Sequence, residues 1–238
     1  TLTIPAGTAH FLEHKLFEKA DYDAFQIFTR HGADSNAFTS YTKTSYLFSA
    51  TSRLKENLTT LLDFVQDPYF STASVAKEQG IIGQEIQMYN DDVDWQLYMG
   101  IMRNLFSGQS LSEDIAGTID SIAQITPELL YQVHQVFYHP QNMHLFITGN
   151  LDPQAVAEWV EENQRQKEFP TFVRPVDLGK NGGANVPVIE QSSAVRLANR
   201  PKIMVGIKSN RYLPEAGLAR LRYLVTLDLG LYLLLSSS

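Results

Sequence analysis

The chain has 238 residues, 44% hydrophobic and 19% charged, with 26 acidic against 19 basic residues and a formal net charge of −7. That balance argues against nucleic acid as the main partner, since neutralising a phosphate backbone needs a basic patch. With no cysteine, a disulfide framework, a thiolate metal site and a cysteine nucleophile are excluded, and any transition metal must be held by carboxylates and histidines.

In chain order, Gly7 to Lys19 predicts a first helix and Asp21 to Arg30 a second, with Asp21 as its N-cap and Gly32 as its stop. Asp34 to Ser40 and Ser45 to Thr51 predict two strands, and the short link Tyr41-Thr42-Lys43-Thr44 makes them an antiparallel hairpin. From Arg53 to Gln66, apolar residues at Leu54, Leu58, Leu61, Leu62 and Val65 follow a helical stripe that Asp67-Pro68 ends. Further helices are expected at Ser74 to Tyr89, Asp94 to Phe106 and Thr118 to Ala123, and then from Pro127 to just before His139-Pro140, with Thr126 as N-cap. Asn142 to Thr148 predicts a strand, and Asp152-Pro153 opens a helix running to about Gln166. Pro170 to Pro187, rich in Pro, Gly, Lys and Asn, reads as a linker; Lys202 to Lys208 reads as a strand, and Pro214 begins a mostly apolar helix.

The run from Leu218 to Leu235 contains Arg220, Arg222 and Asp228. Three charges argue against a membrane span and for a helix packed in a core. The elements come in runs with at least one hairpin, which gives an α+β class. The sequence opens on Thr1 and is read as a fragment or processed form of something longer. No signal peptide is visible, so a cytoplasmic location is expected.

The chemistry concentrates in His10-Phe11-Leu12-Glu13-His14. Positions 10, 13 and 14 share one helix face. Two neutral imidazoles four residues apart can bind one Zn²⁺, and a neighbouring carboxylate can take a proton from water. The bland alternative is a pair of surface histidines on an amphipathic helix. Tetrahedral zinc needs a third protein ligand, which here must be His, Asp or Glu. Glu78 and Glu85, two turns apart on one face of the helix Ser74 to Tyr89, are the candidates. The other histidines, His31, His134, His139 and His144, read as capping or packing residues.

The order of several segments resembles the pitrilysin/insulinase-type zinc metallopeptidases, which include the mitochondrial processing peptidases. They are Gly7 to His14, Asn36-Ala37-Phe38-Thr39-Ser40, Thr44 to Phe48, Glu78 to Met88, and Phe137 to Met143. Lys15-Leu16-Phe17-Glu18 looks like processing peptidases of Gram-positive bacteria. The resemblance implies a metallopeptidase domain, residues 1–182, with a mostly antiparallel sheet covered by helices. Residues 183–238 would be a linker and the start of a second, homologous domain. Strands upstream of the metal helix, and an Arg/Tyr motif that the second domain lends to the substrate, are implied by the family and not found in this sequence.

The resemblance further implies Zn²⁺ held by His10, His14 and Glu85, with Glu13 as general base and Glu78 as a second acidic residue supporting the site. Asn36, Ala37 and Phe38 match the positions that contact an extended peptide. The expected activity is endopeptidase cleavage of peptides or unfolded polypeptide, with a second peptidase-like subunit, in a homo- or heterodimer, as a further expected partner. The alternative is a non-catalytic relative acting as a peptide-binding scaffold. Retention of His10, Glu13, His14 and Glu85 favours the enzyme.

Overall fold

A computed structural model of the chain describes residues 2–174, 188–194, 200–208, 213–214 and 216–235. It divides into two units, Thr1–Met204 and Val205–Ser238. At the centre of the first lies α1 (Thr8–Phe17). Phe11, Leu12, Leu16 and Phe17 on this helix are each at most 5% exposed, and burial of side chains of this size stabilises by roughly 1.5–3 kcal/mol apiece. Around α1 stand α2 (Ala24–Arg30), the hairpin β1 (Asp34–Thr39) and β2 (Thr44–Ser49), α3 (Leu54–Gln66) and α4 (Thr72–Asp91). There follow α5 (Val93–Leu105), the short α6 (Ile119–Ile122), α7 (Pro127–Phe137) and α8 (Pro153–Arg165). The architecture is helix-dominated, and the sheet among the described residues is the two-stranded antiparallel hairpin.

Local chemistry explains most boundaries. Asp23, not Asp21, caps α2: its carboxylate accepts from the Phe25 N–H at 2.8 Å, so the helix starts three residues later than predicted. Gly32, at φ 68°, supplies the left-handed turn after α2. Ser71 and Ser74 form a reciprocal capping box that opens α4, and Thr126 caps α7 ahead of Pro127. Lys19 reaches the C-terminal end of α3 and donates to the carbonyls of Phe64, at 2.7 Å, and Asp67. There its charge complements the helix dipole, although burial pulls its pKa down to about 8.

Where α1 begins, two glycines let two chain segments touch. Gly7 (φ 89°) and Gly117 (φ 76°) both adopt left-handed backbone, and an added Cβ would lie 2.5 Å from Ala116 O or Ala6 O respectively. Ser121 Oγ donates to Ala6 O at 2.8 Å across the same junction. Gly7→Ala should therefore cost at least about 1–3 kcal/mol from backbone strain alone, with the clash in addition. A chemical-denaturation midpoint within error of wild type would refute this account of the junction.

Four expectations need correction. Asn142 to Thr148 forms no strand: Pro140–Asn142 is a 3₁₀ turn, and residues 143–148 join no ladder. Strand identity rests on a neighbour to exchange hydrogen bonds with, and no described strand lies beside this segment. Lys202 to Lys208 joins no ladder with a described strand for the same reason, with Ile203, Val205 and Ile207 more than 80% exposed. The last helix, α9 (Leu218–Leu235), starts after Gly217 (φ 102°) and not at Pro214. It is not core-packed either, since Leu221, Val225 and Leu229 are exposed. A helix apolar all round needs cover on every side, more than a 34-residue unit supplies. No described helix is long and apolar enough to cross a membrane. Most of the expected linker, residues 175–187, and the boundary at 182 lie outside the described residues.

The other histidines have structural partners where they are buried. His134 is 7% exposed, bonds the Val65 carbonyl through Nε2 at 2.8 Å and stacks on Tyr138. His139 Nε2 bonds Pro170 O at 3.0 Å, and His31 Nδ1 bonds Asn57 Oδ1 at 3.2 Å. Burial holds the His134 pKa down to about 4, below the ordinary 6.5. Below pH 6.5 the unfolded chain takes up a proton that the folded chain refuses, so stability falls with pH from about 6.5 to about 4. The loss approaches about 3 kcal/mol at the lower end. His134→Gln should flatten this part of the pH–stability curve measured by denaturation, and an unchanged slope would count against it.

Candidate metal centre

Helical periodicity stacks His10 and His14 one turn apart on α1, with ring centroids 4.5 Å apart. Both rings are half-buried, facing α4. The face of α4 that carries Val75, Ile82 and Ile86 into the core brings Glu78 and Glu85 to the same place. Glu85 Oε2 lies 3.8 Å from His10 Nε2 and 3.9 Å from His14 Nε2. One ligand atom from each of His10, His14 and Glu85 falls within 4.8 Å of the others, and these three form the one such group of metal-capable side chains among the described residues.

Glu78 makes a different contact. It is 8% exposed, and its Oε1 lies 3.0 Å from His14 Nδ1. A carboxylate can only accept, so Nδ1 carries the proton and Nε2 is left with a free lone pair directed at Glu85. This hydrogen bond is the main cause of the raised pKa of His14, opposed by burial and helped by the charges of Glu78, Glu85 and Glu13. His10 is shifted the other way: burial and then the neighbouring His14 lower its pKa, against the pull of Glu85, Glu13 and Asp114. Its Nδ1 is buried without a hydrogen-bond partner. Tyr89, one turn after Glu85 and stacked on Trp95, has its pKa raised by burial and then by the charge of the nearby Glu85 carboxylate.

The donor set fits zinc. Two imidazoles and one carboxylate are a known catalytic combination that leaves a fourth position open, and zinc bonds of about 2.0–2.2 Å place tetrahedral ligand atoms roughly 3.3–3.5 Å apart. The observed 3.8 and 3.9 Å need only a few tenths of an ångström of contraction.

Glu13, between the two histidines on α1, is 8% exposed, and its Oε2 accepts from the Thr39 hydroxyl at 2.5 Å. Thr39 belongs to β1, whose side chains alternate between outward Asp34, Asn36 and Phe38 and inward Ser35, Ala37 and Thr39. Of the three residues expected to contact peptide, Asn36 and Phe38 thus face outward, with Lys43 Nζ 5.4 Å from the Phe38 ring centroid. Ala37 packs against the core. Sequence reading did not single out Thr39 or Tyr89. Tyr89 was within reach as the i+4 neighbour of Glu85, whereas Thr39 depends on hairpin register and had no comparable local signal.

Sequence models of one peptidase family cover most of the chain. Residues 5–119 match the model described as insulinase (peptidase family M16), and residues 124–223 match the peptidase M16 inactive domain. The chain is 50% identical over 207 residues to the uncharacterised zinc protease YmfH of Bacillus subtilis, spanning 87% of this chain and 48% of that protein. Among solved structures it is similar to an M16-like peptidase from Alicyclobacillus acidocaldarius, with a TM-score of 0.70 and 43% identity over 72% of this chain and 40% of that one. The first half of the periplasmic protease PqqL from Escherichia coli matches with a TM-score of 0.61 and 25% identity, over 71% of this chain and 40% of that one. The chain therefore spans about half the length of YmfH and less of these two structures.

Proposed function

Because the chain belongs to the insulinase-type (M16) peptidase family, we propose that it carries the hydrolytic site of a zinc endopeptidase acting on peptides or extended polypeptide segments. The observation that carries this reading is the convergence of His10, His14 and Glu85 beside a buried glutamate on the same helix. In this reading His10 Nε2, His14 Nε2 and the Glu85 carboxylate hold the metal. When bound, zinc supplies Lewis acidity that acidifies water and polarises a peptide carbonyl. Glu13 takes the proton of the attacking water and delivers it to the leaving amine nitrogen. Glu78 keeps His14 in the Nδ1–H tautomer and so presents Nε2, as outer-shell carboxylates do at zinc sites.

The exposed face and backbone of β1 suit an incoming extended peptide, which would pair along the strand and place side chains near Asn36 and Phe38. Such pairing tolerates many sequences, as a general peptidase requires. The domain assignment that goes with this reading is a peptidase domain over 1–182 and the beginning of a second domain after it. A partner subunit, or that second domain, would complete the grip on substrate.

A non-catalytic scaffold is the second reading, favoured by the match of residues 124–223 to an inactive domain. Metal analysis and cleavage of a quenched peptide library by the complete protein, with and without a co-expressed neighbour, separate the two. Stoichiometric zinc with cleavage supports the enzyme. Absence of both sinks it.

A further inference from the structure

Glu13 has a single proton to move and a carboxylate that must face the right way to move it, so the group that holds the carboxylate matters. The Thr39 hydroxyl lies 2.5 Å from Glu13 Oε2 and 3.2 Å from the Thr44 hydroxyl, and Thr39 and Thr44 are directly opposed in the hairpin register.

Proton counting fixes the direction of this chain. An ionised carboxylate offers no proton, and each hydroxyl offers one. Thr39 therefore donates to Glu13 and must accept from Thr44. The two aligned threonine hydroxyls polarise one another toward the carboxylate. The pleat of β1 turns Thr39 inward while its neighbour Phe38 points out, and a one-residue slip would turn the hydroxyl away.

Resting on the reading of Glu13 as general base, we propose that Thr39 is a positioning residue for that base. Its hydroxyl pins Oε2 and leaves Oε1 to meet the proton of the attacking water, while the Thr44 hydroxyl opposite holds Thr39 in its donating orientation. A purely structural Thr39 would tie the hairpin to α1 and affect stability alone.

The test uses the complete zinc-loaded protein and a quenched peptide substrate. Thr39→Val keeps the β-branched shape and removes the donor. It should lower kcat by about 10–100-fold, the range of outer-shell changes at metal sites, with KM within about 3-fold and zinc content and thermal midpoint retained. Thr39→Ser should recover most of the lost kcat. A crystal structure of Thr39→Val should show the Glu13 carboxylate rotated. Wild-type kcat in Thr39→Val, a Thr39→Ser variant as slow as the valine, or an unmoved carboxylate would each overturn the inference. Glu13→Gln is the control. Retained cleavage there defeats the general-base reading itself, whereas loss of cleavage there beside a fully active Thr39→Val defeats only the role of Thr39.

Discussion

Replacing Glu13 with glutamine should lower kcat for peptide cleavage by about 10²–10⁴-fold, the usual contribution of a positioned general base, while zinc stays bound. Glutamine has nearly the same shape as glutamate, and its amide oxygen can still accept the hydrogen bond from Thr39. It cannot take a proton at neutral pH, so the variant isolates proton transfer from packing. Stability should hold or rise slightly, because Glu13 is 8% exposed and burying a charged carboxylate costs more than burying an amide. Zinc content by elemental analysis, the denaturation midpoint and kcat measured together give the result. Cleavage at the wild-type rate with zinc in place would remove Glu13 from the chemistry. Loss of zinc alongside activity would instead make Glu13 part of the metal shell.

That these histidines and glutamates come together was readable in the sequence because it depends on local periodicity. His10 and His14 are one helical turn apart, and Glu78 and Glu85 are two turns apart, so each pair had to share a face whatever the rest of the chain did. Spacing alone left Glu78 and Glu85 equivalent. Their difference arises from where α4 crosses α1: Glu85 meets the Nε2 side of both rings, and Glu78 meets Nδ1 of His14. Thr39 was hidden because its link to Glu13 spans 26 residues and depends on the register of a hairpin. The strand expected over Asn142 to Thr148 failed for the converse reason. Its apolar run Leu145-Phe146-Ile147 is a property of the segment, but a ladder is a property of two segments, and no described strand lies beside it. Apolar content likewise marked α9 as a helix without marking what would cover it. The Asp21 cap was a near miss, since Asp21 and Asp23 offer the same chemistry two residues apart and only Asp23 meets the Phe25 N–H.

The different contacts of the two α4 glutamates give an ordered expectation for metal affinity. In the proposed reading Glu85→Ala removes a direct ligand and should weaken zinc binding by more than the roughly 10–100-fold typical of an outer-shell loss, while Glu78→Ala should fall within that range. Glu78→Gln should be milder than Glu78→Ala, because an amide oxygen still accepts from His14 Nδ1. Acidity supplies a second axis. Zinc binds neutral imidazole, so protons compete for the site. The hydrogen bond from Glu78 raises the pKa of His14 above the ordinary 6.5, and zinc affinity in the wild type should therefore begin to weaken on acidification from above that pH. Glu78→Ala removes both the hydrogen bond and the charge, so the onset should move to lower pH even as affinity at neutral pH drops. Chelator competition across pH on the complete protein measures both quantities. Glu85→Ala binding zinc as tightly as Glu78→Ala would put the third ligand elsewhere, and an onset that does not move in Glu78→Ala would mean that Glu78 does not hold His14 in solution.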